Sequence, residues 1–350
     1  MNSDYITQAS DRLLITGSNG FIGAKVVEVL LEYGFRNLRC FVRPSSSLVR
    51  LREVLARFGA TDAVELVAGD LLSHDDCKRA VEGVSVILHL AAGSEKAFAA
   101  AYMNSVLATR NLMQAFLDQN GHRRLVNVSS FAVYSNLNLK RGALLDENCP
   151  LEDSSQERYE PYAFGKLKQE QLVIDFGKNR GLPYVILRPG IVFGPGKTGL
   201  SGRVGIDTFG FFLHLGGSNI LPLSYVDNCA EAIVLAGLKP GVDGEIFNVV
   251  DDNLLTSRQF LRAYKRAAGS FMSVPVHFYL ARLLCALWER YSRWSQGQLP
   301  PVFNRRRCCA EWKGNRYSND KLRQRLGWKP RVQMKEAMAS FVGQLQSVSR

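Results

Sequence analysis

The sequence predicts an α/β fold in which a doubly wound parallel sheet carries helices on both faces and is joined by a smaller C-terminal lobe. Three observations lead there. Short, near-continuously apolar runs alternate with helical patterns through the first 195 residues, a glycine-rich turn joins the first run to the first helix, and the alternation stops after Gly194. Strands that are apolar throughout belong to parallel sheets covered on both faces, because a half-exposed strand would alternate polar and apolar residues. Right-handed crossovers then wind the helices onto both sides.

In order, Leu13-Leu14-Ile15-Thr16 is the first strand and the stretch from Phe21 to Tyr33 the first helix. Arg39-Cys40-Phe41-Val42, Val64-Glu65-Leu66-Val67 and Val86-Ile87-Leu88 continue the series, as do Leu125-Val126-Asn127-Val128 and Tyr184-Val185-Ile186-Leu187. A Gly-rich loop from Gly194 to Gly217 leads to Leu223–Ala236, and Ile246–Val250 offers a return to the sheet. Residues 1–195 therefore form the nucleotide-binding type of domain, with a sheet return near 223–250. Residues 196–350 form most of a basic, helix-rich substrate lobe interleaved with it.

With 46% apolar and 22% charged residues, the 350-residue chain is neither disordered nor collagen-like. The polar start from Met1 to Arg12 predicts no signal peptide. Seven scattered cysteines without a C-x-x-C spacing suit a reducing cytosol, so a cytoplasmic location and no zinc site are expected. The net charge of +12 is concentrated at the end: residues 258–350 hold 19 Lys and Arg against 4 Asp and Glu. That asymmetry points to an anionic partner or to a solvated basic face.

Thr16-Gly17-Ser18-Asn19-Gly20-Phe21-Ile22-Gly23 lies between strand and helix. Gly17 suits the tight turn, Gly20 the approach of a pyrophosphate, and Gly23 close helix–strand packing. The helix N-terminus would then hold the negative charge. At the end of the second strand, where an NAD site places Asp or Glu, stands Arg43, followed by Ser45, Ser46, Ser47 and Arg50. A guanidinium pairs with a 2′-phosphate, so NADP(H) is favoured over NAD(H); the same group would also suit stacking on adenine in an NAD enzyme. Asp70, in Gly69-Asp70-Leu71, suits the adenine amino group, and Ala91 and Ala92 leave room for ribose and phosphates. His89, at a strand end before these alanines, is expected to pack beneath the cofactor. Gly17, Asn19, Gly20, Phe21, Ile22, Gly23, Arg43, Asp70, Leu71 and Ala91 are thus the cofactor-binding candidates, joined by Tyr162 and Lys166.

Ser130 follows the fifth strand in Val128-Ser129-Ser130-Phe131-Ala132, and Tyr162-Ala163-Phe164-Gly165-Lys166 opens a later helix. A Tyr and a Lys four apart share one helical face. The ammonium field is expected to lower the phenol pKa, so that Tyr162 exchanges a proton with an alcohol or ketone. Ser130 would hydrogen-bond the same oxygen while a nicotinamide exchanges hydride.

From Thr16 through Leu187-Arg188-Pro189-Gly190 and Tyr225-Val226-Asp227-Asn228 to Leu326-Gly327-Trp328-Lys329-Pro330, the chain resembles the extended short-chain dehydrogenase/reductases, the epimerase/dehydratase family. The resemblance implies a Rossmann domain, a C-terminal substrate lobe and a Ser130/Tyr162/Lys166 catalytic set, with Asn104 in the place of the family's structural or proton-relay asparagine. Phe131-Ala132 stands where the similar sugar dehydratases carry Asp-Glu, which closes that dehydration route. Ile191 and Ile220 stand where galactose-type epimerases have an Asn and an Arg for the diphosphate, although Arg203 or Arg305-Arg306-Arg307 would be substitutes.

Val276 to Trp294 places Leu280, Leu283, Leu284, Leu287, Trp288 and Tyr291 at helical spacing. This amphipathic helix, too short to span a bilayer, would either pack on the lobe or lie in a membrane interface. The layout resembles the 3β-hydroxysteroid dehydrogenase-like branch, whose substrates are lipophilic alcohols and ketones. The expected activity is interconversion of a ketone and a secondary alcohol on such a substrate, the alternative being a nucleotide-sugar epimerase or 4-ketoreductase. A redox-sensing or RNA-binding protein that keeps the nucleotide as a ligand would need a damaged catalytic set, and all three residues are present. Expected partners are a small-molecule substrate, a membrane surface and a second copy in a homodimer; no nucleic acid is expected.

Overall fold

Apolar strand residues pointing alternately to opposite sides of a sheet need helices on both faces, and the computed structural model has that arrangement. It describes residues 5–93, 96–208, 210–296 and 298–348. Strand β1 (Arg12–Thr16) leads through the glycine turn to α1 (Phe21–Glu32), then β2 (Leu38–Val42), α2 (Val49–Arg57), β3 (Glu65–Ala68), α3 (His74–Val81) and β4 (Val84–His89). Next come α4 (Phe98–Ala101), a π-helical stretch Tyr102–Leu107, and α5 (Ala108–Leu117). β5 (Arg124–Val128), a 3₁₀ turn Phe131–Val133, β6 (Leu144–Leu145), α6 (Pro161–Arg180), β7 (Tyr184–Pro189) and β8 (Ile191–Phe193) follow. The remainder comprises β9 (Gly205–Thr208), β10 (Phe211–His214), β11 (Leu223–Tyr225), α7 (Val226–Leu238), β12 (Ile246–Val249), α8 (Ser257–Ala268) and β13 (Ser273–Pro275). It ends with α9 (Phe278–Trp294), α10 (Arg305–Trp312), β14 (Arg316–Tyr317), α11 (Asp320–Leu326) and α12 (Met334–Val348).

Seven parallel strands run in the order β12-β7-β5-β4-β1-β2-β3. Leu13 and Ile15 of β1 face α1, α2 and α7, whereas Leu14 faces α3, α5 and α6. The edge strand β3 is largely exposed, so its apolar residues are not covered on both faces as the sequence suggested. The strand that returns to the sheet is β12; β11 pairs instead with β8 in a separate two-stranded sheet. A three-stranded sheet β13-β10-β9 also lies in the second half. Phe193, Phe260 and Phe341 anchor one core of the lobe, and Phe278, Cys285 and Cys308 another. Among the described residues, no helix is long and apolar enough to cross a membrane.

Candidate active site

The glycine loop is shaped by contacts that allow no side chain. Gly17 has φ +69°, and a Cβ on Gly23 would stand 2.1 Å from the Gly17 carbonyl oxygen. No side chain caps α1 and no carboxylate stands in its first turn, so its positive end suits an anion. Gly17, Gly20, Phe21, Ile22 and Gly23 line a cleft of about 780 Å³ that Ser130, Tyr162 and Lys166 also line. The loop and the three candidate catalytic residues, more than 100 positions apart in the chain, thus share one groove. The cradle shape and the uncapped helix end fit a dinucleotide pyrophosphate.

Pro161 starts α6 at its first turn, where its fixed φ is already helical, and Gly181 ends it at φ +69°. One turn beyond Lys166, the buried Glu170 accepts a hydrogen bond from Ser129 Oγ at 2.6 Å and pairs with the buried Arg188 of β7. Arg188 also donates to the Tyr134 hydroxyl at 2.8 Å, which donates to Asn248 Oδ1 at 2.7 Å. These bonds lock the register of α6 against β5, β7 and β12, and so set the positions of Tyr162 and Lys166. Ser130 Oγ accepts from the Ala132 N–H at 3.1 Å, which leaves its proton for the Tyr162 phenol.

Burial raises the Tyr162 phenol above its ordinary pKa, with the Ser130 hydrogen bond opposing and Glu160 adding to the rise. The expected lowering by Lys166 is therefore not what the structure has. Lys166 is itself 4% exposed and is pushed down to about 7 by burial, with Glu170 opposing. Its ammonium is turned to the Val128 carbonyl at 2.5 Å and to Gln169 Oε1 at 3.0 Å.

Gln169 continues a buried polar chain. It donates to Thr109 Oγ1 at 2.7 Å, and Thr109 donates to the Ser105 carbonyl at 2.5 Å. Thr109 Oγ1 then accepts from His89 Nε2 at 2.8 Å, which makes Nδ1 the acceptor for Thr16 Oγ1 at 2.7 Å. Thr16 Oγ1 accepts the Ala91 N–H at 3.2 Å. Burial and the Lys166 charge lower His89 to about 3, so the ring is neutral and acts as a strut between the loop and α5.

A second cavity of about 260 Å³ adjoins the cleft at Gly17 and Gly20 and is lined by Asn19, Arg43, Ser46, Asp70, Leu71 and Ala91, among others. Arg43 is exposed directly after β2. Asp70 Oδ1 accepts the Leu72 N–H at 2.9 Å, which holds the carboxylate at the groove. Asn104 also lines this cavity, on the π-helical stretch.

Sequence reading missed Arg158, Glu160, Lys197 and Glu311, which line the cleft. Glu160, adjacent to Pro161-Tyr162, was the one with a local signal. Arg158 pairs with Glu160 at 2.7 Å. Burial and the nearby Glu160 raise the Glu311 carboxyl above its usual range. Arg203 lines the cleft, while its Nη1 donates to the Ala310 carbonyl at 2.9 Å. The 305–307 arginines are elsewhere: Arg305 pairs with Glu289, Arg306 with Glu152, Asp153 and Glu157, and Arg307 with Glu311. As substitutes for an epimerase's diphosphate ligand they are already engaged.

The sequence profile of the NAD dependent epimerase/dehydratase family matches residues 13–249. Cinnamoyl-CoA reductase 1 of Petunia hybrida is 28% identical over 52% of this chain, and the match spans about half of that relative, 54%. The 3-beta-hydroxysteroid dehydrogenase of Mycolicibacterium neoaurum is 26% identical over 94% of this chain and 89% of its own length. Among solved structures, the UDP-glucose 4-epimerase of Thermus thermophilus in complex with NAD superposes with a TM-score of 0.69 at 22% identity, covering 96% of this chain and 99% of that one. At that identity the likeness is one of fold.

Proposed function

The chain belongs to the NAD dependent epimerase/dehydratase family of nicotinamide-linked enzymes, and on that premise we propose that it interconverts a ketone and a secondary alcohol on a lipophilic substrate with NADP(H). The observation that carries this reading is the shared groove, lined both by the glycine cradle and by Ser130, Tyr162 and Lys166. Gly17 to Gly23 and the α1 N-terminus would hold the pyrophosphate, Asp70 and Leu71 the adenosine, and Arg43 a 2′-phosphate. A nicotinamide bound there supplies or accepts the hydride.

Tyr162 does the proton transfer. Its raised pKa keeps the phenol protonated at neutral pH, as donation to a carbonyl oxygen requires. Ser130 holds that oxygen by a second hydrogen bond, and Lys166 lies one helical turn away as the nearby titrating base. The apolar lining of the cleft supports a lipophilic substrate, since Ile191, Phe193, Leu221, Leu223, Phe260 and Phe341 are part of it. Of the cleft's charged residues, Arg158 and Glu160 are paired with each other, and Lys197, Arg203 and Glu311 also line it.

The test is to follow loss of reduced-nicotinamide absorbance with NADPH or NADH and a panel of lipophilic ketones and UDP-sugars. NADPH-linked reduction of a ketone, with no change in the sugars, is the expected result. Epimerisation of a UDP-sugar without net consumption of cofactor would overturn it.

A further inference from the structure

Helix α9 turns its apolar stripe away from the protein. The residues it buries are Phe278, Ala281, Cys285 and Ser292, three of them small. At 3.6 residues per turn these fall on one side. On the opposite side stand Tyr279, Leu280, Leu283, Leu284, Leu287 and Tyr291, each between 48% and 61% exposed. Trp294 at the helix end is 76% exposed. Contiguous apolar surface of this kind marks an interaction site.

The border of this face is mainly basic, although Arg282 and Arg293 share a cavity of about 560 Å³ with Glu157 and Glu289. Arg282, Arg290 and Arg293 are exposed, whereas the single carboxylate of the helix, Glu289, pairs with Arg305 of α10 at 2.9 Å. The aromatic residues gather at the C-terminal end, where Tyr291 and Trp294 stack at 5.7 Å and Trp288 meets Phe303 edge-on at 6.1 Å. Exposed leucines, Trp and Tyr at one end, and a basic border are the components of a helix lying in a bilayer interface.

We propose that the outward face of α9 docks on an anionic phospholipid bilayer, with the helix lying in the plane of the headgroups. Charge selects this occupant. The face belongs to the segment with 19 Lys and Arg against 4 Asp and Glu. A second copy docked through the same face would set these arginines against themselves, whereas an anionic surface complements them. The inner side of α9 packs on α10, whose Glu311 lines the cleft, so the bilayer would lie one helix behind the active-site wall. The 305–307 arginines, spent in ion pairs, contribute little; the attraction rests on α9. This proposal stands apart from the catalytic reading, and the assay below needs no substrate.

The test is co-sedimentation of the full chain with phosphatidylcholine vesicles and with vesicles containing phosphatidylglycerol, at low and high salt. Wild type is expected to pellet with the anionic vesicles at low salt and to be released as salt rises. Leu283→Gln/Leu287→Gln should lose at least tenfold in apparent affinity, and Arg290→Gln/Arg293→Gln severalfold, with thermal melting unchanged because all four residues are exposed. Tryptophan emission of the wild type should shift to shorter wavelength with anionic vesicles only, a readout independent of any variant's folding. Wild type remaining in the supernatant, or equal binding to neutral and anionic vesicles, overturns the proposal. So does dissociation of a dimer by the leucine substitutions, since the face would then belong to a second copy.

Discussion

Replacing Lys166 by Met tests the electrostatics of the site through stability, without any substrate. Lys166 titrates at about 7 in the folded chain, against the ordinary 10.5 that applies when unfolded. Between these values the unfolded chain binds a proton that the native chain does not, so native stability rises with pH across that window by about 1.4 kcal/mol per pH unit. Below about pH 7 both states are protonated, and the native chain bears the full cost of a buried ammonium, on the order of 5 kcal/mol. Lys166→Met keeps much of the stem's volume and removes the titration, though the Val128 carbonyl and Gln169 lose their donor, about 1–3 kcal/mol each. Absolute stability therefore mixes two effects of opposite sign; the pH slope does not. From pH 7, where the native lysine is half protonated, to pH 9 the wild type should gain about 2.3 kcal/mol relative to the variant. An unfolding entropy of roughly 0.7 kcal/mol/K for this length makes that a relative Tm shift of about 3 °C. Thermal melts of both proteins at pH 7, 8 and 9 provide the measurement. Parallel Tm profiles would refute the argument that burial governs Lys166.

Tyr162→Phe should lower turnover by about 10²–10⁴-fold while NADPH affinity, measured by fluorescence titration, stays near wild type. Arg43→Asp should move the cofactor preference from NADPH toward NADH, and a wild type that binds both equally would contradict the role given to Arg43. Glu170→Gln leaves the buried Arg188 without its charge partner. A loss of about 3–5 kcal/mol follows, roughly 4–7 °C in Tm by calorimetry, and a shift within error would show that α6 is held by other contacts.

The parallel sheet and the groove were legible in the sequence because their signals are local. Gly17 to Gly23 spans one turn, and Tyr162 and Lys166 lie four apart on one helix. The strut from Thr16 through His89, Thr109 and Gln169 to Lys166 was not, since each bond joins a different element and hydrophobic periodicity is silent about buried polar partners. The same holds for Arg306, whose carboxylate partners lie about 150 residues away in the chain. For the phenol pKa the sequence showed the neighbouring cation but not the burial, and burial proved the larger effect. Helix α9 is a different case. Its stripe was evident, yet periodicity identifies an apolar face without saying which way it points, and three small residues on the other side form the packed surface.

The neutral imidazole at the centre of the strut changes how kinetic data on this enzyme should be interpreted. A rate profile with an inflection between pH 6 and 7 is ordinarily assigned to a histidine. His89 does not ionise there, since it gains its proton only near pH 3. An inflection close to neutrality in the unliganded enzyme belongs instead to Lys166, pushed down to about 7 by burial, or to the buried Asp251, pushed up to about 7 by the same cause. A substitution at His89 that abolished such an inflection would be reporting a broken brace under Lys166, not the removal of a proton donor.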